Sequence, residues 1–190
     1  EIRENASSSS VKLEDGTILE FDRVIIATHA DEALAMLPEP DALQSQILPA
    51  FRYQKNIATL HTDKSVMPRT RRAWASWNYR IQRDSAGHSE ATTHYWMNAL
   101  QDVSKKRDYF VSVNGSETIR PESILYQTTY EHPVYTLEAM KAQRELPKLN
   151  TRSPGQRVFF CGSYFRHGFH EDAYSSAVDL ASILRPNLRP

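Results

Sequence analysis

Residues 158–184 have the sequence VFFCGSYFRHGFHEDAYSSAVDLASIL, which divides into three elements. The apolar run up to residue 161 predicts a buried strand, and Gly162 with residues 163–170 predicts a short loop. Residues 171–184 predict a helix, because their apolar positions recur at helical spacing. The positions expected to form its apolar face are Ala173, Ala177, Leu180, Ala181 and Leu184.

A helix that begins directly after such a loop offers a binding surface. Its first backbone N–H groups have no partner within the helix, and the aligned peptide dipoles place a partial positive charge there. Small side chains in the first turns let a large planar ligand approach the backbone, and anionic groups favour such helix ends. The same order of elements is equally typical of an ordinary strand-to-helix turn, so the pattern alone leaves both interpretations open.

Residues 11–28, VKLEDGTILEFDRVIIAT, contain a second informative order of elements. Apolar positions on both sides of the pair Asp15-Gly16 predict a hairpin with a tight turn. The apolar run from Val24 to Ala27 predicts a strand covered on both faces, as in a parallel sheet. This order is similar to the segment by which flavoproteins return from a three-stranded excursion to the sheet that binds the dinucleotide.

The residues between these segments predict several strands and short helices. Helices are expected at residues 31–37, 41–50 and 136–146, and prolines follow the first and the last of them. Strands are expected at residues 51–63, 73–82, 92–98, 109–113 and 124–130.

Four stretches resemble a family of predicted NAD/FAD-binding proteins related to amine oxidases. They are LHTDKSVMPRTRRAWASWNY (60–79), HYWMNALQ (94–101), YEHPVYTLEAMKAQRELPKLN (130–150) and VFFCGSYFRHGFHEDAYSSAVDLA (158–181). The resemblance implies an α/β architecture, the C-terminal part of an FAD/NAD(P)-binding amine-oxidase-like fold, with a mixed-sheet substrate lobe. It implies FAD as the cofactor. Members of the family also resemble the flavoprotein portion attached to cyclopropane fatty-acid synthases, which implies a redox step on lipid acyl chains.

The expected domain organisation follows from the same resemblance. Residues 1–10, with four consecutive serines, are expected to be a flexible tail. Residues 11–30 and 151–190 are expected to form part of the FAD-binding lobe, and residues 31–150 the substrate lobe.

The resemblance also implies which residues meet the cofactor. Gly162 and Ser163 are expected to meet the pyrophosphate or the ribityl chain, although amine-oxidase relatives commonly have an acidic residue where Ser163 stands. Ala27 and Thr28 are expected near the cofactor at the end of their strand. The residues expected to present backbone N–H groups to the flavin ring are His170, Glu171, Asp172 and Ala173.

The dinucleotide fingerprint G-x-G-x-x-G is absent from the sequence, which has only six glycines. In the family the fingerprint lies near the start of the full protein, and this chain begins without a methionine. We therefore expect a fragment that binds FAD weakly or not at all and is inactive by itself, completed by a missing N-terminal segment or a partner chain. Two alternatives are a non-catalytic subunit or interaction module that pairs with an FAD-binding chain, and a degenerate pseudo-oxidase.

The amino-acid composition limits which other classes of protein are compatible with the sequence. The 23 basic and 23 acidic residues cancel, which disfavours a dedicated nucleic-acid binder. The single cysteine, Cys161, cannot form an internal disulfide, and no apolar run is long enough to span a bilayer. A cytoplasmic protein is expected, with peripheral membrane contact as an additional expectation.

That membrane expectation rests on arginines around Trp74, Trp77 and Tyr79. These arginines are Arg69, Arg71, Arg72, Arg80 and Arg83. The alternative is a hairpin with a solvated arginine face and a packed aromatic face.

Other candidate residues have less specific patterns. The spacing of His167, His170 and Glu171 is too loose to predict a metal site. No catalytic residue can be named. The aromatic residues and histidine that are candidates for a substrate pocket are Trp96, Tyr126, Tyr130, His132 and Tyr135.

Overall fold

A computed structural model of the chain describes residues 1–83, 87 and 89–185, with the side chains of residues 82, 83 and 90 outside the described set. In chain order the strands are β1 Ile2–Glu4, β2 Ser9–Lys12, β3 Ile18–Phe21, β4 Val24–Ile26, β5 Arg52–His61, β6 Trp77–Arg83, β7 Ser89–Trp96, β8 Phe110–Val113, β9 Ile124–Val134 and β10 Val158–Phe160. The α-helices are α1 Ala30–Ala35, α2 Ala42–Ile47, α3 Met97–Gln101, α4 Leu137–Gln143 and α5 His170–Leu184.

The chain forms two compact units. The first comprises Glu1–Gln54 and the described part of Pro133–Pro190, and the second comprises Lys55–His132. The predicted lobes divide the chain differently, because they assign all of 31–150 to one lobe. Residues 186–190 of the predicted FAD-binding lobe lie outside the described residues.

The first unit contains a three-stranded antiparallel sheet in the order β1-β2-β3. The predicted hairpin turn is present between β2 and β3. Gly16 has a positive φ of 85°, and the Asp15 side chain accepts a hydrogen bond from Thr17 N. Glycine adopts this backbone conformation without the steric cost that a side chain adds.

Residues 1–10 contribute strands to this sheet, where a flexible tail is predicted. The side chain of Ile2 is buried, and its backbone N–H donates to Met36 O at 2.7 Å. Ser9 pairs with Phe21 across the sheet and is also buried. The segment is ordered because its partners come from distant parts of the chain, which the local serine-rich sequence does not reveal.

Strands β4 and β10 form a parallel pair with Ile26 beside Phe160. Ile26 and Phe160 are buried, but Ile25 is 49% exposed. The prediction of a parallel strand is confirmed, whereas coverage of β4 on both faces is not observed among the described residues.

The helices α1, α2 and α4 pack with these strands in one hydrophobic core. Its buried members include Ala33, Ile47, Ala139, Leu146 and Phe160. Because these helices bury their apolar faces in this core, they belong to the first unit together with the β4–β10 pair.

The second unit is built on a five-stranded sheet in the order β6-β7-β8-β5-β9. The pairs β6–β7, β7–β8 and β8–β5 are antiparallel. Its hydrophobic core consists of Val66, Met67, Phe110 and Ile119, with Trp74, Trp96 and Ile124 packed against it. Among the described residues, no helix is both long enough and apolar enough to cross a membrane.

Candidate functional site

The ends of β4 and β10 bring two of the predicted segments together. Cys161 N donates to Ile26 O at 3.1 Å, which continues the parallel pairing beyond the strands. A Cβ placed on Gly162 would lie 3.5 Å from Thr28 O. Because the carboxyl ends of parallel strands meet at one sheet edge, the segments 27–28 and 162–163 lie side by side.

Gly162 has a backbone conformation that only glycine adopts readily, with φ 152° and ψ 170°. A Cβ at this position would lie 2.7 Å from Cε1 of Tyr164, whose ring is fully buried and has no room to move. The Gly162 N–H donates to Ser176 Oγ at 2.9 Å. The glycine is therefore required by the packing of Tyr164, and its N–H group is not available to a ligand.

Replacing Ser176 with alanine is expected to lower the free energy of unfolding by about 1–3 kcal/mol, because the buried Gly162 N–H loses its acceptor. Urea denaturation measures the change. Ser182→Ala is the matched control, since Ser182 donates to Val178 O on the exposed side of the same helix. It is expected to change stability by less than about 0.5 kcal/mol. Equal losses in the two variants would contradict a specific role for the Gly162 contact.

The N-terminus of α5 has two free backbone donors. The N–H groups of Asp172 and Ala173 donate to Phe169 O at 3.0 and 3.2 Å, so both are already engaged within the first turn. The N–H groups of His170 and Glu171 have no acceptor among the described residues. The expectation that all four residues present free N–H groups is therefore wrong for Asp172 and Ala173.

The Asp172 side chain caps the same helix end. Its Oδ2 accepts from Phe169 N at 2.9 Å and from His167 N at 3.2 Å. This carboxylate already complements the partial positive charge of the helix end. A second anion such as a phosphate would be repelled by it, so the remaining donors suit the carbonyl oxygen of an uncharged ring.

Tyr135 packs against the loop before α5, at Gly168. A Cβ on Gly168, where φ is +87°, would lie 2.5 Å from Tyr135 Oη. Burial raises the pKa of the Tyr135 phenol, and the Asp172 carboxylate raises it further. Tyr135 is thus a predicted pocket residue that packs against the loop before α5.

His29 and Tyr53 also belong to this region, although neither is among the residues predicted from the sequence. Their rings stack with centroids 4.1 Å apart, and Tyr53 Oη accepts from Ala30 N at 3.0 Å. Burial, with smaller effects from Asp31 and other neighbours, raises the pKa of Tyr53 to about 12. The position of His29, three residues after the end of β4, could have identified it, because ligands bind beyond the carboxyl ends of such strands. Tyr53 carries no comparable sequence signal.

Two buried polar atoms in this region have no hydrogen-bond partner among the described residues. They are Nδ1 of His29 and Oη of Tyr164. The Ser163 N–H group also has no acceptor among the residues that the structure describes. Unpaired polar atoms beside a glycine that admits no side chain fit a planar ligand with polar edges, as FAD has. The assignment of these residues to a cofactor stays a prediction.

The other pocket candidates lie in the second unit. Tyr126, Tyr130 and His132 alternate along β9, and His132 Nδ1 lies 2.9 Å from Asn56 Nδ2. Trp96 instead packs into the core, edge-on to Trp74 with a centroid distance of 5.4 Å. Within the described residues, no group of three or more His, Cys, Asp or Glu side chains is placed to hold a metal ion.

Comparisons with known proteins show the fold. No family model and no curated protein matches the chain. A CLA-producing fatty acid isomerase from P. acnes is similar over 95% of this chain and 45% of its own, with a TM-score of 0.60 and 11% identity. A reduced UDP-galactopyranose mutase is similar over 95% and 44%, with a TM-score of 0.54 and 12% identity.

A triple mutant of putrescine oxidase, made to redesign its cofactor binding, is similar over 98% of this chain and 48% of its own. Its TM-score is 0.55 and its identity is 12%. The chain thus spans slightly less than half the length of these three structures. The predicted fold class is confirmed, because the chain has the mixed α/β architecture of an amine-oxidase-like fold.

Proposed function

We propose that this chain forms one wall of the flavin site in an FAD-dependent oxidoreductase. The observation that carries the proposal is the β4–β10 pair, which ends at Gly162 and is followed by a helix with two free N–H groups. The resemblance of four sequence stretches to flavoproteins and the fold shared with a putrescine oxidase support it.

The groups that would hold FAD are the N–H groups of Ser163, His170 and Glu171, with His29 beside them. FAD, when bound, accepts a hydride from a substrate carbon. The two N–H groups at the start of α5 would donate hydrogen bonds to a carbonyl oxygen at the pyrimidine edge of the ring. Stacking on Tyr53 would hold the His29 ring, and with it the unpaired Nδ1, in a fixed position beyond the end of β4.

We further propose that the substrate is a lipid acyl chain, which is oxidised or desaturated. Two observations support this substrate class. Members of the family that the sequence resembles are similar to the flavoprotein portion attached to cyclopropane fatty-acid synthases, and one structure with the same fold is a fatty acid isomerase. The proposal assigns no catalytic residue.

The absorption spectrum of the purified whole protein tests the cofactor assignment. We expect oxidised-flavin bands in the whole protein and none in the 190-residue chain. Gly162→Asp is expected to abolish flavin retention, because it adds a negative charge beside the cofactor and places a side chain against the Tyr164 ring.

Gly155→Ala is the matched control, since a Cβ there meets nothing within 4 Å. It should retain flavin at the level of the unmodified protein. Circular dichroism separates loss of flavin from loss of fold. Full flavin content in a folded Gly162→Asp variant, or no flavin in the whole protein, would contradict the proposal.

A non-catalytic subunit is the second candidate function, and exposed apolar side chains favour it. Ile18 and Phe21 on β3 and Ile25 on β4 are 61%, 45% and 49% exposed. Such side chains are typical of a surface that another chain covers. Co-purification of a separate flavin-binding chain with this one, through Ile18 and Ile25, would support this function over the first.

A further inference from the structure

Strand β6 forms one edge of the five-stranded sheet in the second unit. Within the described residues, its pairing with β7 runs without a bulge from Trp77, opposite Tyr95, to Arg83, opposite Ser89. The strand contains no proline, whereas β9 at the opposite edge contains Pro133. Prolines and bulges are common devices that prevent another strand from adding to a sheet edge, so β6 lacks two of these devices.

The backbone hydrogen bonds between β6 and β7 show which groups of β6 are free. Trp96 N donates to Ser76 O at 2.9 Å, and in an antiparallel pair every second residue after Ser76 bonds to the partner strand in the same way. The N–H and C=O groups of the intervening residues therefore point away from β7, and these residues are Trp77, Tyr79 and Ile81. In the part of the chain that the structure describes, these groups have no other hydrogen-bond partner.

The side chains of β6 alternate between the two faces of the sheet. Trp77, Tyr79 and Ile81 share one face and are 62%, 63% and 65% exposed. The alternative of a packed aromatic face is therefore wrong for Trp77 and Tyr79. Arg80 lies on the opposite face, so this arginine and the aromatic row do not form one surface, and peripheral membrane contact stays a prediction. The Arg83 side chain lies outside the described set.

A groove of about 590 Å³ lies beside β6, between residues 78–81 and the segment 65–69. The segment lies on the same face of the sheet as Arg80, because Val66 and Met67 pack into the core around Phe110. Arg69 and Arg80 both line the groove. Arg69 has no acidic partner anywhere in the described ranges of the chain.

The charge around this groove is positive. Residues 64–83 include six Lys or Arg residues and no Asp or Glu, and none of the described residues that line the groove is acidic. A second copy of β6 at this edge would bring another Arg80 close to these arginines, and like charges across a strand pair are destabilising. A strand that carries acidic side chains on this face would instead be attracted by Arg69 and Arg80.

We propose that β6 binds an extended, acidic segment of a partner protein as an additional antiparallel strand, since antiparallel pairing is the more stable kind per residue. The free N–H and C=O groups of β6 would make the backbone hydrogen bonds, as in other complexes formed by strand addition. Successive side chains of the added strand point to opposite faces. Apolar side chains would pack on the row of Trp77, Tyr79 and Ile81, and acidic ones would face the arginines of the groove. The inference goes beyond the proposed function and does not depend on bound flavin.

Fluorescence anisotropy of a labelled peptide, titrated with the intact protein, tests the inference. The probe is a short peptide of alternating valine and glutamate, and its counterpart alternates valine and lysine. We expect the valine–glutamate peptide to bind at least about tenfold more tightly, because its acidic side chains face the arginines of the groove. N-methylation of its valines is expected to abolish binding, since the valine N–H groups face β6 in an antiparallel strand, whereas N-methylation of its glutamates is expected to preserve binding.

Tyr79→Pro is the corresponding change in the protein. It removes an N–H group that points away from β7, so it costs no hydrogen bond within the sheet, and edge strands tolerate proline for this reason. We expect it to abolish binding of the valine–glutamate peptide. Tyr79→Val is the matched control, because it keeps the N–H group and should retain binding. Arg69→Glu is expected to reduce the preference for the acidic peptide, and circular dichroism shows whether each variant is folded.

Equal binding of the two peptides, or full binding by a folded Tyr79→Pro variant, would overturn the inference. Binding that survives methylation of the valines would also overturn it, and this measurement needs no variant of the protein. A dimer of the intact protein that Tyr79→Pro dissociates, measured by analytical ultracentrifugation, would assign this edge to a second copy and overturn the choice of partner. Flavin content, measured on the same variants, is expected to stay unchanged, so failure of strand addition and failure of the proposed function are distinguishable.

Discussion

Phe110→Ala is expected to destabilise the second unit by about 4 kcal/mol, because it opens a cavity in a packed core. Phe110 is fully buried, and its ring lies 5.5 Å from that of His61 and 5.7 Å from that of Trp74. Val66 and Ile119 complete the contact, so little can move into the vacated space.

Urea denaturation followed by tryptophan fluorescence measures this loss, since Trp74 adjoins the substituted ring. Tyr126→Ala is the matched control, because this tyrosine is 62% exposed. It is expected to cost less than about 0.5 kcal/mol. A loss below about 1.5 kcal/mol for Phe110→Ala would show that the core can collapse around the missing ring.

The second large effect is loss of stability in mild acid, which follows from a buried hydrogen-bond chain. Asp63 N–H donates to His61 Nδ1 at 3.1 Å, so His61 carries its proton on Nε2 and donates to Ser112 Oγ at 2.7 Å. The Ser112 hydroxyl then donates to His94 Nδ1 at 2.7 Å, and His94 Nε2 donates to Thr92 Oγ1 at 3.1 Å. With both histidines neutral, each of these four hydrogen bonds has one donor and one acceptor.

The pKa values agree with this arrangement. Burial lowers the pKa of His61 to about 4, with Asp63 opposing and His94 adding to the effect. Burial also lowers the pKa of His94, and Arg80 lowers it further. The Asp63 carboxyl titrates below this range, because hydrogen bonds from Arg120 and Ser65 outweigh burial and hold its pKa far below the usual value.

A lowered histidine pKa means that the folded state favours the neutral ring. A histidine in the unfolded chain binds a proton near pH 6.5. Between about pH 6.5 and 4 the unfolded state therefore binds protons that the folded state does not bind. The free energy of unfolding therefore keeps its full value above pH 6.5 and falls as the pH decreases. For His61 alone the loss at pH 4 is about 3 kcal/mol.

Urea titrations at several pH values across this window test the expectation. His94→Asn should reduce the slope of stability against pH, since one of the two neutral histidines is removed. His167→Gln, at an exposed position, should leave the slope unchanged. Equal stability of the unmodified protein at pH 7 and pH 5 would contradict the proposed proton positions.

Local patterns predicted the elements whose partners are close in sequence. The hairpin around Asp15-Gly16 and the strand, glycine, loop and helix of residues 158–184 are all present. In each case the determining residues are neighbours, such as a glycine at a turn that requires a positive φ.

Distant partners decide what the sequence did not predict. The face of α5 that is buried contains Asp172, Ser176 and Leu180, shifted from the predicted alanines. The shift occurs because Ser176 accepts from Gly162 N and Asp172 accepts from its own first turn. Likewise, the register of β5, β7 and β8 joins His61, Ser112 and His94, which no local spacing connects.

The Asp172 carboxylate at the start of α5 has a consequence for how the chain responds to ionic strength. With its positive end already complemented, that helix has little net charge for dissolved ions to screen, so recognition there rests on hydrogen-bond direction. The exposed ion pair of Arg3 and Glu39 is the opposite, because its attraction is between charges in water and weakens as the Debye length shortens. Added salt therefore separates the two kinds of interaction within one chain, weakening the exposed ion pair and sparing the hydrogen bonds at the helix end.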